Sequence, residues 1–129
     1  MASILRVDTL TDASSNNSVP MATVASGSAK SWMNIDGTGT IAVRDSFNVA
    51  SITDRGTALY TQTLTSAMSS DDFAGTGSAQ SVAADVDGRN RMVVSEPDDT
   101  TTVFVNTFDT GGSESDCGYT TSIIFGDLA

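Results

Sequence analysis

Histidine is absent from the 129 residues, and Cys117 is the only cysteine. Without a second thiol or an imidazole there is no disulfide within the chain and no Cys/His zinc cluster. Acid–base catalysis built on histidine is excluded as well. Asp116 and Gly118 flank Cys117, and the neighbouring carboxylate discourages a thiolate, so the residue reads as an incidental thiol suited to a reducing interior. Basic residues are also scarce: six Lys and Arg face sixteen Asp and Glu, for a net charge of −10. Such a balance repels phosphate backbones and anionic lipid, so no nucleic-acid partner and no membrane insertion are expected. The first eight residues break every apolar run with a charge, unlike a secretory signal, and no stretch nears the roughly 20 apolar residues of a membrane span.

Apolar material is in short supply too. Hydrophobic residues make up 39% of the chain and aromatics 6%, thin for one domain of this length. Either the core is light or copies of the chain share one. The prolines, Pro20 and Pro97, fall at expected element boundaries.

What is present is β-forming. From about residue 30, short runs rich in Val, Ile, Thr and aromatics alternate with Gly, Asp and Asn, which predicts strands over 30–35, 40–44, 47–53, 57–65, 81–86, 91–95, 101–108 and 119–125. Asp36-Gly37 and Asp87-Gly88 are dipeptides favoured in tight turns of positive φ. The clearest hairpin runs from Val49 to Thr65 around Asp54-Arg55-Gly56. Pairing Thr53 with Thr57 would set Ala50, Ile52, Ala58 and Tyr60 on one face and Phe47, Val49 and Leu59 on the other. Two half-apolar faces suit a sheet packed on its own core on one side and on another subunit on the other. Residues 66–80 read as a helical turn followed by a flexible loop. The expected fold is an all-β antiparallel sandwich, jelly-roll-like, over residues 21–129, preceded by an N-terminal docking segment and tether over 1–20. Ile4, Leu5, Val7 and Leu10 are its candidate docking side chains, and the polar run 12–18 its tether.

Constellations with chemical potential are few. Asp85-Val86-Asp87-Gly88 opens like a calcium loop but lacks the third oxygen ligand before the glycine and the later bidentate Glu. Asp98-Asp99 and Glu114-Ser115-Asp116 read as acidic loop tips that keep edges soluble. No carboxylate pair sits among aromatics that would raise a pKa for glycoside hydrolysis. Gly37-Thr38-Gly39 and Gly75-Thr76-Gly77 read as turns rather than phosphate loops, and Trp32 and Tyr60 as core rather than sugar platforms. The expectation is a chain without catalytic residues, metal or cofactor.

Several segments, in order, resemble small structural proteins of bacteriophage tail fibres and virions, especially marine ones. They are Ser3-Ile4-Leu5-Arg6-Val7-Asp8-Thr9-Leu10-Thr11-Asp12, Ala29-Lys30-Ser31-Trp32, Asp36-Gly37-Thr38-Gly39-Thr40 and Arg44-Asp45-Ser46-Phe47-Asn48-Val49. Ser51-Ile52-Thr53-Asp54, Gly56, Tyr60-Thr61, Tyr119-Thr120-Thr121 and Phe125-Gly126-Asp127 complete the series. Residues 70–115 carry no part of it, and Arg55 and Gln62 depart from it where a smaller turn residue and an apolar one are expected. The resemblance implies a non-enzymatic virion component, a homotrimer assembled in the host bacterial cytoplasm. Its implied partners are itself, tail or fibre adaptor proteins, and a host surface glycan or protein. A capsid-bound fibre, a decoration protein and a carbohydrate-binding module are the alternatives. Any receptor contact is expected at the pattern-free loops 70–80 and 109–118 rather than at Trp32 or Tyr60.

Overall fold

A computed structural model describes residues 4–81 and 91–129. The chain opens with an arm made of β1 (Thr9–Thr11), β2 (Ser18–Pro20) and the seven-residue helix α1 (Met21–Gly27). Eight strands follow: β3 (Ala29–Asp36), β4 (Ala42–Phe47), β5 (Val49–Gly56), β6 (Leu59–Leu64), β7 (Ala74–Gln80), β8 (Met92–Asp99), β9 (Thr102–Phe108) and β10 (Tyr119–Phe125). They form two antiparallel four-stranded sheets, ordered β4-β3-β10-β7 and β5-β6-β9-β8, that enclose one core. The all-β sandwich is therefore the fold, and its strands begin at Ala29, beside the expected start near residue 30. Its wiring departs from the jelly-roll-like expectation. A jelly roll combines two Greek keys, whereas here β3–β4, β5–β6 and β8–β9 are hairpins that each stay within one sheet.

The core follows from strict alternation. On β3 the side chains of Ser31, Met33 and Ile35 point inward, on β9 Val103, Val105 and Thr107, and on β10 Thr120, Ser122 and Ile124. β6 adds Tyr60, Gln62 and Leu64. Each large apolar side chain of this set contributes about 1.5–3 kcal/mol by leaving water. The scarcity of apolar residues has a concrete form here, because several inward positions are filled by Ser, Thr and Gln. Gln62, fully buried where an apolar residue is expected, donates from Nε2 to Ser31 Oγ at 2.7 Å, and Ser31 Oγ lies 3.1 Å from the Phe47 carbonyl. Gln62 Oε1, Thr120 Oγ1 and Ser122 Oγ have no protein partner.

The β5–β6 hairpin corrects the expected register. Thr53 pairs with Thr61 rather than Thr57, and Gly56 with Leu59, so that Thr57-Ala58 form the turn. Ala58 takes φ 63°, unusual for a residue with a Cβ, and its N–H donates to Asp116 Oδ1 at 2.6 Å. Tyr60 and Ile52 do face the core, but so does Val49, because a bulge between Val49 and Ser51 re-aims it. Ala50 is exposed.

The expected strand 47–53 is divided by Asn48, which sits in the left-handed region at φ 55° and carries the chain from one sheet to the other. Asn tolerates that conformation, and its side chain holds the corner. Nδ2 donates to the carbonyls of Lys30 and Ser66 at 3.0 and 3.2 Å, and Oδ1 accepts from Ser66 N–H at 2.7 Å.

Residues 66–80 contain no helical turn, since Met68 and Phe73 are core residues and 74–80 form β7. Gly75 and Gly77 are strand residues rather than turns. A Cβ on Gly75 would stand 2.6 Å from the Ser95 carbonyl, so only glycine lets β7 close against β8 at this edge. Pro97 lies inside β8 rather than at a boundary, but β8 is an edge strand, where a missing N–H is tolerated. Beyond Ser81, the expected strand 81–86, the Asp87-Gly88 turn and the Asp85 calcium-like opening lie outside the described residues.

Candidate interaction surfaces

The arm is ordered without a core of its own. β1 and β2 pair antiparallel, with Leu10 opposite Val19. Within the polar run 12–18 the chain closes a turn: Asp12 accepts hydrogen bonds from Asn16 N–H at 2.9 Å and from Asn17 Nδ2 at 2.7 Å. The Asn17 side chain, with backbone donors behind it, holds the Asp12 carboxyl below its ordinary range. Pro20 ends β2 and precedes α1, fixing the φ needed at that junction. Lys30 ties the arm to the sandwich by donating to the Ala25 carbonyl and, at 2.8 Å, to Ser28 Oγ. No residue of β1, β2 or α1 is buried.

The structure places the four candidate docking residues in water: Ile4 is 75% exposed, Leu5 79%, Val7 38% and Leu10 44%. Val19 and Val24 are exposed as well, at 41% and 38%, and Val19 stands directly opposite Leu10. Sequence reasoning missed them because Val19 ends the polar run, and only its pairing with Leu10 puts the two side by side.

The candidate receptor loops divide. Of 70–80 only the first few residues form a loop, and Phe73 anchors them in the core. The 109–118 loop is a true projection with a stiff tip, where Asp109 Oδ1 accepts from Gly111 and Ser113 N–H at 2.8 and 2.9 Å. Those donors lower the Asp109 pKa, Ser113 having the largest effect. Several hydrogen bonds pin its base: Asp116 takes the Ala58 N–H, Gly37 N–H donates to the Cys117 carbonyl at 2.9 Å, Arg44 reaches the Gly118 carbonyl at 2.7 Å, and Gly118 N–H donates to the Ser81 carbonyl at 2.6 Å. Gly37 is required there by proximity rather than by φ, since any Cβ would run into the Tyr60 hydroxyl.

Tyr60 is core, 1% exposed, with its hydroxyl 3.2 Å from the Gly37 carbonyl and 3.3 Å from Asp116 Oδ1. Burial, then the Asp116 charge, raises its pKa well above the ordinary tyrosine value. Trp32 is not core. It lies half-buried on the outer face of its sheet, directly opposite Phe47 on one side and Ile123 on the other. Cys117 is fully buried and burial pushes its thiol pKa up, the opposite of what a nucleophile needs. Asp99 Oδ1 binds the Thr101 hydroxyl at 2.7 Å and its N–H at 2.6 Å, and Asp116 is the loop anchor. Among the described residues, no three His, Cys, Asp or Glu side chains converge on one point, and no helix is long and apolar enough to cross a membrane.

Across the outer face of the other sheet, Arg55 stands 5.0 Å over the Phe104 ring, and a groove of about 320 Å³ runs between them and Leu59, Val94, Glu96 and Asn106. No protein-family model, curated protein or solved structure matches the chain.

Proposed function

We propose that this chain is a non-enzymatic structural subunit of a bacteriophage virion, a tail-fibre or similar appendage protein that works as a homotrimer in attachment to the host surface. In this reading it assembles in the host bacterial cytoplasm and ends in the virion. Ile4, Leu5, Val7 and Leu10 seat the arm on a tail or fibre adaptor protein, and the sandwich projects from it. One observation carries the reading: Ile4, Leu5, Val7, Leu10, Val19 and Val24 of the arm are exposed and no residue of its strands or helix is buried, beside a sandwich with an apolar core of its own. Apolar groups held out on a hydrogen-bonded scaffold are a surface for a partner, since folding alone gives no reason to present them. The order of phage-like segments in the sequence supplies the class of partner.

A capsid-bound fibre or decoration protein differs only in what the arm meets. The carbohydrate-binding reading loses Tyr60, which is buried, and keeps only Trp32, which shares its flat sheet face with Phe47 and Ile123. The test is mass spectrometry of purified particles of a phage that encodes this chain, combined with electron imaging. A fixed, repeated copy number in an appendage is expected, and absence from washed particles would overturn the reading.

A further inference from the structure

The two sheets differ in charge. The strands of the β4-β3-β10-β7 sheet carry Lys30 and Arg44 against Asp36 and Asp45, a balance of zero in a chain of −10. Those of the other sheet carry Arg55 against Asp54, Glu96, Asp98 and Asp99, a balance of −3. On the neutral sheet, Arg44 and Asp36 are bonded to each other at 2.7 Å, and Arg44 covers the Tyr119 ring at 4.2 Å. The same sheet bears an apolar row on its outer face: Phe47, 53% exposed, then Trp32, then Ile123, each directly opposite the next, with Phe125 two residues along β10 on the same side.

We propose that this outer face, centred on Phe47, Trp32 and Ile123, is where copies of the chain pack on one another. The inference rests on the homo-oligomeric part of the function proposed above and assigns it a surface. A second copy is the occupant that the charges favour. Two molecules at −10 repel wherever acidic surfaces meet, and this sheet brings together apolar side chains with no net charge among its strands. Aromatic side chains at the centre of such a patch are the groups that carry association energy. Position adds a consequence. The row lies at the end of the sheet where the chain enters from α1, since Phe125 pairs with Ala29. Copies joined there bring their arms side by side, so that several weak apolar contacts act on one partner together.

The test is a molar-mass measurement by light scattering on the full chain at micromolar concentration, with circular dichroism and thermal melting as checks of fold. The wild type is expected to have the mass of a multimer. Phe47→Asp places a charge on an exposed side chain and is expected to weaken association about tenfold or more while leaving the melt of the protomer intact. Phe47→Ser, which adds no charge, should act in the same direction more weakly. Met92→Ser, at an exposed residue of the other sheet, should leave the mass unchanged. A multimer that withstands Phe47→Asp and Ile123→Asp, both folded, would overturn the assignment of this face while the oligomeric reading stands. A monomeric wild type would overturn both.

Discussion

Met33, Ile35, Tyr60, Val103, Val105 and Ile124 are at most 1% exposed, whereas Ile4, Leu5, Val7, Leu10, Val19 and Val24 range from 38% to 79%. The first group belongs to the sandwich and the second to the arm. Both regions are ordered, but by different means. The sandwich is held by apolar burial with a polar seam at Gln62 and Ser31, the arm by local hydrogen bonds around Asp12 and by Lys30 at its root. The difference teaches that order and burial are separable: the arm is held by hydrogen bonds while its apolar side chains stay exposed.

The sharpest way to break this comparison is to cut the same amount of side chain from each region. Ile124→Ala should cost about 2–5 kcal/mol in a urea unfolding experiment, from lost transfer energy and the cavity left behind. Leu5→Ala should lie within about 0.5 kcal/mol of the wild type. Comparable losses would mean that the arm is part of the core after all.

Next in size is the corner. Asn48→Ala removes three hydrogen bonds and forces a Cβ residue into the left-handed region, so a loss of about 3 kcal/mol is expected. Asn48→Gly keeps the backbone conformation and should recover about 1 kcal/mol of it. Equal losses for the two would place the whole effect in the side-chain bonds.

Tyr60→Phe should cost about 1–2 kcal/mol, because the Gly37 carbonyl loses its buried partner. The wild type adds a signature in alkali. Since the folded pKa of Tyr60 is raised, the unfolded chain releases this proton first. The stabilisation is complete below the ordinary value of about 10 and is lost as pH rises from there toward the folded value. In a spectrophotometric titration Tyr60 should ionise only as the protein unfolds, and ionisation of Tyr60 near the ordinary tyrosine value in the folded state would refute its burial.

The smallest effect is in acid. Asp12, Asp36, Asp99 and Asp109 have folded pKa values lowered mainly by hydrogen bonds from Asn17, Thr38, Thr101 and Ser113 in turn. Their stabilisation is present above the ordinary carboxylate range near 4 and fades as pH falls through the lowered folded values. Asp12 and Asp99 are exposed and Asp36 and Asp109 only half-buried, so a decline of a few degrees in melting temperature between pH 5 and pH 3 is expected. A melt that rises over that interval would contradict it.

Much of the sandwich was legible because alternation is a local signal. The strand at 119–125 and the strands around 30–35 and 101–108 stand where Val, Ile and Thr alternate between two faces. Register was not legible, because the turn at Thr57-Ala58 is held by Asp116, which reaches Ala58 from 58 residues away. β7 was missed for a related reason. Ala74-Gly75-Thr76-Gly77 reads as a loop, yet Gly75 lets Ser95 come close and Gly77 does the same for Thr121 and Val93. The candidate docking residues were visible as apolar side chains among polar neighbours, and Val19 became part of that surface only through pairing across the arm. Trp32 and Tyr60 looked alike in sequence, and tertiary packing alone sends one outward and the other into the core.

The division of labour between arm and sandwich is tested most directly by deleting residues 1–18 and following the truncated chain into particles. The account predicts a folded sandwich with an unchanged melting temperature that is missing from purified virions. Truncated chain recovered in virions at the full wild-type copy number would contradict it, and would move the docking surface from the arm to the sandwich.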